Sequence, residues 1–285
     1  MSQVSYCTRG FNDRDVEAAL DAIAAAGFAR AEILGQAPHV AAPPEGRELE
    51  TFRSRLEQRR LVGGTVHAPL ARDLLAAPQD QSRRENITVL ASYVRFAAAI
   101  GARGLVIHPV PNPNRVPDAG HPEASQRIRD AVRRSLDELV PIAQESGVRI
   151  LLENLPWKTS LPLFSMKQLR PLVDGYPDVA LGLVIDTGHA WTAGIDPVEE
   201  ILEAGPRLWS THLQDVDFDQ PQDNHWVPTQ GGLDWNAIRA ALASVGYAGL
   251  WTFEVGYGRH GESREQLARL SRHVAAEWGF GSALS

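Results

Sequence analysis

Short apolar runs recur along this chain, and each is followed by a longer segment with helical periodicity. The runs are QVSYC (3–7), RAEIL (30–34), GTVHA (64–68), GLVIH (104–108), RILLE (149–153), LGLVID (181–186), LWSTHL (208–213) and LWTFE (250–254). They are too short for helices and too continuous for strands with one wet face. They therefore predict parallel strands buried on both sides. The segments between them carry helix punctuation. Ser82-Arg83-Arg84-Glu85 has capping-box spacing. Asp196, Pro197 and Glu199 suit the N-cap, N1 and N3 positions of one helix, and Asp234 suits the cap of another that starts at Trp235. Gly27, Gly101, Gly147 and Gly246 stand where helices should stop. Pro141 lies inside the helical pattern 122–146, so that helix is expected to kink or end early. Eight strand–helix units predict a single (β/α)8 TIM barrel covering residues 1–285 as one domain, with a doubly wound sheet as the competing arrangement.

The polar residues at the strand ends change the picture from architecture to chemistry. The third to eighth runs end in or near His67, His108, Glu153, Asp186, His212 and Glu254. In a barrel these ends meet at one mouth, where the sites of such enzymes sit. Several buried carboxylates at one place are costly without a cation. Glu153, Asp186, His212 and Glu254 are therefore expected to bind a divalent ion, with His189 in the loop after the sixth strand as their neighbour. The loop after the seventh strand adds Asp223 and His225, a two-ligand pair that equally fits an Asx turn. Trp157, Trp191 and Trp226 fall on loops at the same mouth, where they would pack against a ligand or simply within the loops, and Lys158 would recognise an anionic group or stand as an ordinary surface lysine.

Composition narrows the classes. The chain has 285 residues, 44% of them hydrophobic, and a formal net charge of -7. That balance argues against a phosphate-gripping nucleic-acid protein. Cys7 is the one cysteine, which rules out an internal disulfide and fits a reducing compartment. The opening MSQVSYCTRG lacks the pattern of a signal peptide, and no apolar run reaches a membrane span of roughly 20 residues. A cytoplasmic protein with no membrane partner is expected.

The pieces VHAPL, IHP, LLENLP, VIDTGHAW, HLQDVD, GGLDWNAIRAALASVGYAG and FEV, over roughly residues 64 to 255, resemble the xylose-isomerase-like barrel superfamily. That group includes sugar isomerases and epimerases and the endonuclease IV type of nuclease. By this resemblance Glu153, Asp186, His212 and Glu254 hold one Mn²⁺, Zn²⁺ or Mg²⁺ ion, and Glu153 and Glu254 also act as acid and base on a keto-sugar or polyol. His189 would hydrogen-bond a substrate oxygen or support Asp186. The nuclease branch implies a different set, three zinc ions held by His67, His108, Glu153, Asp186, His189, His212, Asp223, His225 and Glu254, and with it a phosphoesterase. A non-catalytic sugar-binding or partner subunit is the third reading. Enzymes of this group often form homodimers. Two departures stand out: Gln214-Asp215 replaces the Asn-Asp pair of the nucleases, and PTQGG replaces the usual PGxG.

Overall fold

A computed structural model describes residues 3–70, 75–77, 79–116, 121–158, 161–220 and 222–281. Eight parallel strands close into a barrel in chain order. They are β1 (Val4–Cys7), β2 (Arg30–Leu34), β3 (Val62–His67), β4 (Gly104–Ile107), β5 (Arg149–Glu153), β6 (Leu181–Asp186), β7 (Leu208–Leu213) and β8 (Leu250–Phe253). The surrounding helices are α1 (Val16–Ala25), α2 (Gly46–Gln58), α3 (Asp80–Ala99), α4 (Pro122–Glu145), α5 (Met166–Val173), α6 (Thr187–Ala193), α7 (Pro197–Ala204), α8 (Trp235–Ser244) and α9 (Arg264–Glu277). The (β/α)8 expectation holds, and the doubly wound alternative falls because β1 pairs with β8.

Alternation along each strand sorts the chemistry. Ile33, Val66, Leu105, Ile107, Ile150, Leu152, Leu183 and Ile185 belong to the main core, which the helices cover. Residues of the opposite parity point into the barrel. Val106, Leu151 and Val184 form a separate small cluster there. Two residues beyond each, toward the C-terminal end, come His108, Glu153 and Asp186. The pairing of Asp186 with His212 across β6 and β7 follows a local register shift after Leu183, and places both side chains at one level.

Helix punctuation reads as expected at several points. Gly27, Gly101, Gly147 and Gly246 take φ of 88°, 74°, 66° and 68° after their helices. Asp196 accepts from Val198 N, and Asp234 from Asn236 N and Ala237 N. One expectation fails, and of the two outcomes expected at Pro141 the early end does not occur. α3 starts before Ser82, at Asp80 with Gln79 as its N-cap. The carboxylate of Asp80 pairs with Arg83 and Arg84 and anchors that first turn instead of a box at Ser82. α4 runs through Pro141 to Glu145 without ending early. An interior proline costs about 3 kcal/mol; the buried Leu136, Leu139, Val140 and Ala143 on both sides of it hold the helix to the core.

Glu200 on α7 is buried and accepts from Met166 N at 2.8 Å, which fastens α7 to the start of α5. Burial pushes its carboxyl up to about 7 from the usual 4.5. The folded chain therefore holds this proton longer than the unfolded chain, so the stability it contributes is complete below about 4.5 and is lost as pH rises through 7. Glu200→Gln keeps an acceptor for Met166. It is expected to change stability little near pH 5 and to raise it by about 1–3 kcal/mol above pH 8. Denaturant titrations at both pH values measure this, and equal effects at the two would refute the account.

Candidate metal centre

Glu153 ends β5 with no exposed surface. Four imidazoles surround its carboxylate. Oε1 lies 3.0 Å from His212 Nδ1 and 3.3 Å from His189 Nδ1. Oε2 lies 3.2 Å from both His67 Nε2 and His108 Nε2. Burial would raise this carboxyl, but His212 and His108 beside it hold it well below the usual range. Asp186 has less relief. Burial, with the Glu153 charge adding to it and His189 opposing, pushes Asp186 up to about 6.

The orientation of each ring follows from what its second nitrogen faces, because a carbonyl oxygen can only accept. His67 Nδ1–H donates to Ala68 O at 2.8 Å, His189 Nδ1–H to Asn154 O at 2.9 Å, and His225 Nδ1–H to Glu254 O at 2.8 Å. Each ring is thereby left with Nε2 facing the carboxylates, the arrangement that a metal-ligating histidine needs. His189 Nε2 lies 3.5 Å and His225 Nε2 3.0 Å from Asp223 Oδ1. His212 is wired the other way round. Its Nε2 meets Glu32 Oε2 at 3.1 Å, and its Nδ1 points between Glu153 Oε1 and Glu254 Oε2, the latter at 3.4 Å.

Among the described residues the donors fall into five overlapping groups, each with its ligand atoms within 4.8 Å of one another. One is Glu153, Asp186, His212 and Glu254; a second is His67, His108 and Glu153; a third is His189, Asp223 and His225; the other two are His67, His212 and Glu254, and Cys7, Glu32 and Glu254. Metal–ligand bonds of about 2.1 Å at tetrahedral angles put neighbouring donors roughly 3.4 Å apart. The carboxylate–imidazole contacts of 3.0 and 3.4 Å at His212 Nδ1 are of that size. The donor set therefore fits a divalent ion at the quartet, and the second and third groups offer further places.

Two sequence expectations are corrected. His189 and Trp191 are not in a loop: both lie in α6, which begins directly after Asp186, whose carboxylate caps it by accepting from His189 N at 2.7 Å. One residue thus serves as strand end, helix cap and ligand candidate. The aromatic residues separate. Trp157 lines the mouth cavity of about 210 Å³, together with Arg9, Arg115, His108, His189 and Glu254. Trp191 instead stacks on Phe218 at 4.7 Å and donates to its carbonyl. Trp226 lies under Arg259 at 4.9 Å and pairs with Asp215 in an isolated bridge. Lys158 is exposed and does not line the cavity.

Sequence reasoning missed four residues here. Glu32 on β2 is fully buried and also accepts from Thr65 Oγ1 at 2.6 Å. Burial would raise its carboxyl, and His212 and His67 hold it down to about 2. The fact that RAEIL carries one acid inside an apolar run was the available signal. Arg9 sits in the turn after β1, 3.9 Å from Glu254 Oε1. Asn154 clamps the ends of β5 and β6, donating to Asp186 O at 3.0 Å and accepting from Asp186 N at 2.7 Å. Gln214 donates to both Asp186 oxygens at 3.1 Å and to Asp223 Oδ1 at 2.8 Å, and accepts from His225 N at 2.8 Å.

A family model described as xylose isomerase-like TIM barrel matches residues 20–276. An uncharacterized protein of Methanocaldococcus jannaschii is 26% identical over 247 residues, 86% of this chain and 80% of the relative. A probable endonuclease 4 of Thermoplasma acidophilum is 25% identical over 207 residues, 69% of this chain and 68% of the relative. Among solved structures, a D-tagatose 3-epimerase-like protein superposes with a TM-score of 0.81 at 21% identity, covering 98% of this chain and 97% of the other, a likeness of fold.

Glu32→Gln is expected to weaken metal binding by about 10–100-fold, since residues that orient a ligating histidine carry effects of that size. Competition against a chromogenic chelator measures it, with the melting temperature of the metal-free chain as control. Unchanged affinity in a folded variant would remove Glu32 from the centre.

Proposed function

The chain belongs to the xylose isomerase-like TIM barrel family, and on that premise we propose a divalent-metal-dependent isomerase or epimerase, or a related enolising lyase, acting on a keto-sugar or polyol. The observation that carries this reading is the buried quartet, with Glu153 and Glu254 on either side of His212 Nδ1 and with Glu254 also lining a cavity of about 210 Å³. That space suits a small polyhydroxylated molecule. Three carboxylates and one imidazole are a donor set for Mn²⁺, Mg²⁺ or Zn²⁺. An ion bound there would polarise a carbonyl and acidify the neighbouring C–H.

The chain's own groups do the rest. Either Glu153 or Glu254 takes the proton from carbon, and the other returns one to the opposite face or the adjacent carbon. Asp186 and His212 hold position, with Asn154 and Glu32 fixing them. His189, Arg9 and Trp157 stand where hydroxyls and a sugar face would be received.

A second reading, a multinuclear zinc phosphoesterase, is favoured by one specific observation. His67 and His108 form a donor group with Glu153, as do His189 and His225 with Asp223. The imidazole-rich groups suit zinc. The net charge of -7 weighs against an extended nucleic-acid substrate.

Elemental analysis of the purified chain separates the two. About one ion per chain supports the enolising enzyme; close to three zinc ions moves the phosphoesterase to first place, to be tested on a chromogenic phosphodiester. For the enolising reaction, Glu153→Gln and Glu254→Gln are each expected to abolish incorporation of solvent deuterium into ketohexose and ketopentose probes. Exchange retained in both variants would sink the assigned acid and base roles.

A further inference from the structure

The opposite end of the barrel holds a second cavity, of about 460 Å³. Its wall is made by residues that begin the strands rather than end them. Arg30 opens β2, Arg149 opens β5, Leu250 opens β8, and Arg103 immediately precedes β4. Three guanidinium groups line this one space, and among the described residues lining it there is no Asp or Glu. In a chain of net charge -7 this is a local reversal of sign.

The donors here are incompletely used. Arg149 gives its Nε–H to the Asp178 carbonyl at 2.7 Å and stacks on Trp209, 3.2 Å from the ring centroid. Its terminal nitrogens have no acceptor among the described residues, and the exposed guanidinium of Arg103 has none either. Trp209 Nε1 is buried without an acceptor. Burial pulls Arg149 down to about 10, with Arg207 adding to the effect and Asp178 opposing it. Burial, then Arg103, lowers Arg30 as well. Half-buried Arg149 and exposed Arg103 bring unused N–H donors to a space whose described lining holds no carboxylate, which favours an anionic ligand, and the planar fork of arginine matches phosphate oxygens two at a time.

We propose that this floor cavity binds a small phosphate-bearing anion, with Arg103 and Arg149 as its main ligands and Trp209 Nε1 as a further donor. Along β5 four residue steps, roughly 13 Å, separate Arg149 from Glu153, so the cavity is not part of the mouth. An anion held there would tie the starts of β4, β5 and β7 together and stabilise the folded chain in proportion to its concentration.

Isothermal titration calorimetry of the metal-loaded chain at fixed ionic strength tests this, with inorganic phosphate and pyrophosphate as separate probes. One saturable site is expected for at least one of them. Its affinity should fall at least tenfold in Arg103→Gln and in Arg149→Gln, and stay unchanged in Arg9→Gln, which alters the mouth. Arg103 is exposed and its side chain makes no hydrogen bond to a described residue, so its replacement leaves a folded protein even if Arg149→Gln does not. Absence of saturable binding by either probe overturns the proposal. So does affinity kept within threefold in Arg103→Gln, or affinity lost in Arg9→Gln, which would place the anion at the mouth.

Discussion

A carboxylate with no exposed surface must be surrounded by cations or by protons, and Glu153 is surrounded by imidazoles. That requirement organises the rest of the mouth. His67, His108, His189 and His212 come from four different segments, and only a closed sheet brings those segments to one point. Desolvation alone would push every acid here toward its neutral form. Asp186, raised to about 6, shows how little relief the imidazoles leave for a second carboxylate. A divalent cation resolves that imbalance more completely than protons do, because one ion can meet Glu153, Asp186 and Glu254 at once.

The ring nitrogens turn this crowding into a directed site. Three histidines spend Nδ1–H on backbone carbonyls, and His212 spends its Nε2 side on Glu32. These bonds set which nitrogen faces inward before any ligand arrives. The carbonyls of Asn154 and Glu254 that accept from His189 and His225 belong to residues at the ends of β5 and β8. Strand ends therefore supply both ligand candidates and the acceptors that aim them. The loop after β7 is held the same way. Asp215 accepts from Val216 N, Thr229 N and Trp235 Nε1, and a side chain at Gly231 would meet its carboxylate at 2.2 Å. The glycine at 231 in PTQGG thus has a steric basis in Asp215 itself.

The barrel interior is polarised from end to end. Along β5 the inward positions run Arg149, Leu151, Glu153, from cation through apolar layer to anion. A strand period of two allows this without disturbing the outer face, where Ile150 and Leu152 stay in the core. Acidic chemistry at one end and arginine at the other are in this way independent of the packing that stabilises the fold.

Much of this was written in the chain itself. Eight apolar runs of strand length, separated by capped helical segments, dictate parallel strands covered on both faces, and the acids and histidines closing six of them dictate a common mouth. Period and position within a run carry that information locally. Other features depended on residues meeting across the barrel. Glu32 looks like any acid in RAEIL until closure sets it against His212, 180 residues away in sequence. Trp191 and Trp226 resemble Trp157 as loop aromatics, yet packing against Phe218 and Arg259 takes them out of the cavity lining. Pro141 reads as a kink or an early end, and the buried surface of α4 carries the helix past it to Glu145. Local periodicity decided which residues face inward and at which end; only tertiary structure decided their partners, because hydrogen bonds and charge pairs act over a few ångströms between groups that the sequence keeps far apart.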